Sequence, residues 1–85
     1  MRKIARMSDA NEELYNILVQ GADVWNKWRK DNAKEEIILD GLDLRGLDLS
    51  DCDLSEASFV GTNIAYADLK NSVLIASNLT DANLC

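Results

Sequence analysis

The chain has 85 residues, 47% apolar and 28% charged, with four glycines and no proline. That length allows one domain, which buries only about 60–65% of its unfolded surface, and the composition excludes a disordered chain. A net charge of −6 repels phosphate backbones and anionic lipids, so no direct nucleic-acid or membrane-surface partner is expected.

At the start of the chain, Arg2, Lys3 and Arg6 resemble the basic opening of an export signal. Ser8, Asp9, Asn11, Glu12 and Glu13 then stand where such a signal needs an apolar stretch. No segment reaches the roughly 20 apolar residues of a membrane span. A protein that is not exported and works in the cytoplasm is the expectation.

Residues 1–36 read as a helical leader. Leu14, Leu18, Gly21, Trp25 and Trp28 recur at spacings of four and three, which is one stripe along a helix. Asp9, followed three residues later by Glu12, makes a capping start. The pattern predicts a helix over about residues 10–30, in which Gly21 marks a bend or a close approach. Asp31 to Glu36 reads as a polar connector.

From residue 37 the chain falls into units of five: IILDG LDLRG LDLSD CDLSE ASFVG TNIAY ADLKN SVLIA SNLTD ANLC. Leu39, Leu44, Leu49, Leu54, Phe59, Ile64, Leu69, Leu74, Leu79 and Leu84 fill the third place of every unit. On a helix, positions five apart drift by about 140°, and on a flat strand they alternate faces. All ten point inward only if each unit is a short side and the backbone turns a corner before the next. Four corners close a coil of 20 residues, so residues 37–85 make about 2.5 coils, stacked about 4.8 Å apart like paired strands.

ADLKN, CDLSE and SNLTD resemble the pentapeptide-repeat family, whose pattern is A(D/N)LXX. The resemblance implies an all-β solenoid, a right-handed quadrilateral β-helix, behind the N-terminal α-helix. The leader run Trp25-Asn26-Lys27-Trp28-Arg29 also resembles leaders that precede such repeats in cyanobacterial members.

The first place, where the family favours small residues, holds Ile37, Leu42 and Leu47 before turning to Cys52, Ala57, Thr62, Ala67, Ser72, Ser77 and Ala82. An open solenoid end needs a cover. Leu14, Leu18, Trp25 and Trp28 are therefore expected across the first coil as an N-terminal cap. Beyond the last coil the sequence offers no such cover. Two readings follow: a fragment whose coils continue, or a homodimer formed through the uncapped C-terminal coil.

The second half carries Arg45 and Lys70 against eight acids, which accounts for the whole −6. Family members that resemble duplex DNA in charge and shape bind DNA gyrase, so an acidic DNA mimic is one alternative. Asp40, Asp43, Asp48, Asp51, Asp53 and Glu56 crowd the first coil as a collar, whereas mimicry needs a long stripe. Twenty-residue stacking would also align Asp48 with Asp68, a slightly destabilising pair, and Asn63 with Asn83.

No catalytic residue, cofactor site or metal site is expected. The chain has no histidine, no nucleophile elbow and no phosphate loop, its acids lie on a convex surface, and no spacing resembles an EF-hand. Cys52 reads as a small core residue, and Cys85 as a thiol that could cross-link copies on oxidation. Tyr66, Val73 and Ile75 are either scattered surface apolars or a lateral contact patch for a partner. The favoured function is a non-enzymatic interaction module whose protein partner the sequence does not identify.

Overall fold

The computed structural model describes residues 9–84, with side chains from Asn11 onward. The basic residues ahead of Asp9 and the thiol of Cys85 lie outside them, and so do the expectations placed there. Two helices open the described chain, α1 (Asp9–Leu18) and α2 (Ala22–Asp31).

The single helix expected over 10–30 is thus two. The break falls at Gly21, whose φ of 102° is open to glycine and strained for other residues. A Cβ built there would meet nothing within 4 Å, so backbone conformation rather than close approach explains this glycine. Asp9 already lies within α1, where the sequence expected a capping start. The Gly21 carbonyl accepts from Trp25 N at 3.0 Å and starts α2, while Arg29 and Lys30 complement the dipole of its last turn.

After the connector, six parallel bridges join residues 20 apart: Ile38 to Ser58, Asp43 to Asn63, Asp48 to Asp68, Asp53 to Val73, Ser58 to Asn78 and Asn63 to Asn83. All are second-place residues. Each side is too short for more than one bridged residue, so no run among the described residues counts as a strand. Three backbone bonds tie each side to the one above it. On the fourth side, Val73 N donates to Cys52 O (3.0 Å), Leu54 N to Val73 O (2.8 Å) and Glu56 N to Ile75 O (2.9 Å). The first, second, third and fifth sides follow the same rule, and the sixth shows two of the three bonds among the described residues.

The corners share one conformation. Gly41, Gly46, Asp51, Glu56, Gly61, Tyr66, Asn71, Ala76 and Asp81, every fifth-place residue through 81, have φ between 59° and 70°. From the second corner on, the next residue's N–H closes the turn onto the third-place carbonyl, as Leu47 N does onto Leu44 O at 3.3 Å. That is the sign pattern of a type II turn, which wants Gly or Asn at this place. The second-place Asp or Asn supports the corner from outside. Its side-chain oxygen accepts from the N–H two residues on, as Asp48 does from Ser50 (3.0 Å), Asp68 from Lys70 (3.0 Å) and Asn78 from Thr80 (3.1 Å). Where the second place is Ser58, Asp40 of the coil beneath accepts from Val60 N instead, at 2.9 Å.

Leu39, Leu44, Leu49, Leu54 and Phe59 are fully buried, and Ile64 nearly so. Leu69, Leu74 and Leu79 are only partly buried, and Leu84 is 55% exposed. The sequence places all four inward at the end it leaves uncovered, and no described coil lies above them to close the tube; Leu84, expected in the core, is corrected to an exposed rim residue.

The corners give a test with an unusual sign. Ala76→Gly should raise stability by about 0.5–1 kcal/mol, because the left-handed conformation costs alanine more than glycine loses in entropy. Gly46→Ala should lower it by about 1 kcal/mol, since nothing but backbone strain opposes the new methyl. Thermal melts reporting the ordinary preference for alanine at both sites would contradict this geometry.

Candidate functional site

The surface offers three places for function: the lower rim under the first coil, the outer wall, and the upper rim above the last. At the lower rim, Leu14, Leu18 and Trp25 are buried in one cluster with Ile37, Leu39, Leu42, Leu44 and Leu49. Trp28 is half-buried and stacks on Trp25, with ring centroids 5.6 Å apart. Tyr15 and Ile17 pack partly against the same cluster. They fall outside the stripe that the sequence spacing singled out.

The leader also meets the polar groups of this rim. Asp53 N donates to Asn26 Oδ1 at 2.8 Å, and Asp53 O accepts from Trp25 Nε1 and Arg29 Nη1, both at 2.8 Å. Ser55 O accepts from Arg29 at 3.1 Å, Asp51 O from Asn26 Nδ2 at 2.9 Å, and Ile38 O from Asn11 Nδ2 at 2.8 Å. One coil higher, Val73 N, Val73 O and Ile75 O make the three bonds to the coil beneath. Three leader side chains therefore stand in for a missing coil along the fourth side. Periodicity pointed to the tryptophans, whereas Asn26 and Arg29 lay off the apolar stripe and stood out only as members of the 25–29 run.

On the outer wall, three of the collar's six acids, Asp43, Asp48 and Asp53, are engaged in their own turns, and Asp40 bonds the coil above. Asp43 binds Arg45 Nε and Nη2, each at 2.8 Å, and the side-chain hydrogen bond to Arg45 leads the causes that lower its pKa. Hydrogen bonds from Ser50 lower that of Asp48. Ser55, with Arg29 a smaller contributor, lowers that of Asp53. Asp48 does stack on Asp68, and its pKa falls all the same. Among the described residues, no group of three or more His, Cys, Asp or Glu is placed to hold a metal ion. Nothing in this arrangement favours mimicry of a duplex.

Tyr66, Val73 and Ile75 are 85%, 40% and 74% exposed. They do not form one patch. Tyr66 and Ile75 are nine residues apart in a 20-residue coil, nearly half a turn, and so lie on opposite sides of the tube. Val73 and Ile75 share the fourth side. Cys52 is buried and free, and burial first, with the charges of Asp48 and Asp51 after it, pushes its thiol pKa up to about 11. It is a poor nucleophile. At the upper rim, half-buried Leu69, Leu74 and Leu79 and exposed Leu84 form an apolar edge. No helix among the described residues is long and apolar enough to cross a membrane.

The lowered carboxylate values fix a pH dependence. A carboxylate whose folded pKa is depressed stabilises above its unfolded value, and that contribution is lost as pH falls through the folded one. Thermal stability should therefore be flat well above the ordinary value of 3.8 and fall as pH drops below it. Asp48→Asn keeps an acceptor for Ser50 but cannot titrate, so it should fall less. Identical acid limbs for the two proteins would show that the turn bonds are not responsible.

Comparison with curated proteins and with solved structures returns no match. The pentapeptide-repeat profile matches residues 37–74 and 52–85, with eight copies of the repeat. These matches span more than half the chain and coincide with the residues that build the turns and bridges. The chain belongs to the pentapeptide-repeat family.

Proposed function

We propose that this protein is a non-enzymatic interaction module: a right-handed quadrilateral β-helix of about 2.5 coils, capped by residues 1–36 and recruiting a protein partner through its upper rim. The observation that carries this reading is the contrast between the two rims. The lower one is covered by Leu14, Leu18 and Trp25 and bonded by Asn26 and Arg29, whereas the upper one leaves Leu84 55% exposed beside half-buried Leu69, Leu74 and Leu79. An apolar core bordered by unpaired backbone edges favours association with another chain.

A second copy is the occupant that needs least adaptation. Two upper rims related by a two-fold axis bring the same leucines together, and the third-place N–H groups of each can meet the first-place carbonyls of the other in antiparallel pairing. The rim is small, so the expected pair is weak and concentration-dependent. A buried free Cys52 supports a reducing compartment, the cytoplasm.

Sedimentation velocity tests the pairing. The mean mass should climb with concentration from 9.5 kDa toward twice that value. Leu84→Glu should weaken association by about tenfold, through lost apolar contact and a charge at the rim, while leaving the melting temperature nearly unchanged. A wild-type chain that stays monomeric at millimolar concentration would end this reading.

A further inference from the structure

We propose that Trp25, Asn26 and Arg29 form a chain-terminating cap that denies the lower rim to a second copy, so that assembly through the upper rim stops at a pair. The proposal rests on the reading that the upper rim binds another copy, and it concerns the opposite end.

The reason lies in how coils recognise one another. A coil's upper edge presents third-place and fifth-place N–H groups and first-place carbonyls, and a lower edge answers with the second-place N–H and the second- and fourth-place carbonyls. Every coil carries both edges. Nothing in that code distinguishes the next coil of the same chain from a coil of another copy. Among the described residues, the last coil's upper edge, including Leu69 N, Leu74 N and Leu79 N, makes no backbone ladder bond. An uncapped lower edge would thus let assembled copies stack further, and contacts that do not close grow into filaments.

The leader blocks this with hydrogen bonds as well as with bulk. An apolar lid alone would cover Ile37 and Leu42 but leave the edge of the fourth side available. Instead Asp53 N, Asp53 O and Ser55 O, the three groups that would receive another coil there, are all taken. Ile38 O on the first side is taken by Asn11.

The test removes the bonds of Asn26 and Arg29, which frees Asp53 N and Ser55 O, and leaves the apolar cover and the Trp25 bond to Asp53 O in place. Asn26→Leu/Arg29→Met should still fold, as judged by circular dichroism, and in sedimentation velocity its mean mass should rise past twice 9.5 kDa and keep rising with concentration. Excess wild-type chain, whose own lower rim is closed, should shorten these assemblies back toward pairs. A double variant with the wild-type mass at every concentration overturns the claim that the hydrogen bonds of Asn26 and Arg29 close this rim. So does assembly that wild-type chain cannot shorten, which is aggregation. A wild type that remains monomeric while the variant grows retires the pairing reading and leaves the cap standing. Should the double variant fail to fold, Asn26→Leu alone is measured in the same way. Unfolding by that single change would make the leader part of the folding core rather than a separable cap, and would also overturn the proposal.

Discussion

The left-handed corner residue is the constraint from which the rest of this structure follows. A backbone that turns after every fifth residue, with its third-place carbonyl closing the turn, sends each third-place side chain back to the same axis. It also places residues 20 apart in register, where a ladder of backbone bonds ties coil to coil. Leucine recurs at the third place because the tube's interior repeats. Asp and Asn recur at the second place because the turn leaves an N–H two residues on that a short side-chain acceptor can reach. The acidity of the second half is in good part a by-product of that need, since three of the collar's carboxylates bind N–H groups of their own corners.

A stack of identical coils solves its interior and leaves its ends unsolved. Each end exposes apolar side chains and a row of backbone donors and acceptors, and the two problems need different remedies. Here the leader provides both. Leu14, Leu18 and Trp25 fill the opening over the bulky first-place residues Ile37 and Leu42, and Asn26 and Arg29 act as substitutes for peptide groups. An amide side chain suits the task because it carries one acceptor and two donors, as a strand edge needs. The upper end has no counterpart among the described residues, and this asymmetry directs the functional reading to that rim.

Much of the repeat was legible because the third-place pattern has no exception and no other regular element can bury it. Leu84 alone departs from the expected core, because periodicity describes direction but not whether another layer follows. The corner code was also present, since Gly, Asn or Asp fills six of the nine left-handed places. Glu56, Tyr66 and Ala76 obscure it, held there by the ladder against their own preference. The helix break at Gly21 was ambiguous because one glycine serves a bend or a close contact equally well until its φ is known. The side-chain bonds of Asn26 and Arg29 were not legible at all, as they depend on the angle at which α2 crosses the rim. Nor did closeness in sequence place Tyr66 beside Ile75, because nine residues carry the chain to the far wall of a 20-residue coil.

The most direct test of the coil stack is nuclear magnetic resonance detection of scalar couplings across the backbone hydrogen bonds. The structure predicts couplings from Leu44 N–H to the Asn63 carbonyl, from Leu49 to Asp68 and from Leu54 to Val73, each reaching 19 residues ahead. Couplings that reach four residues back, or none between residues of neighbouring coils, would contradict it.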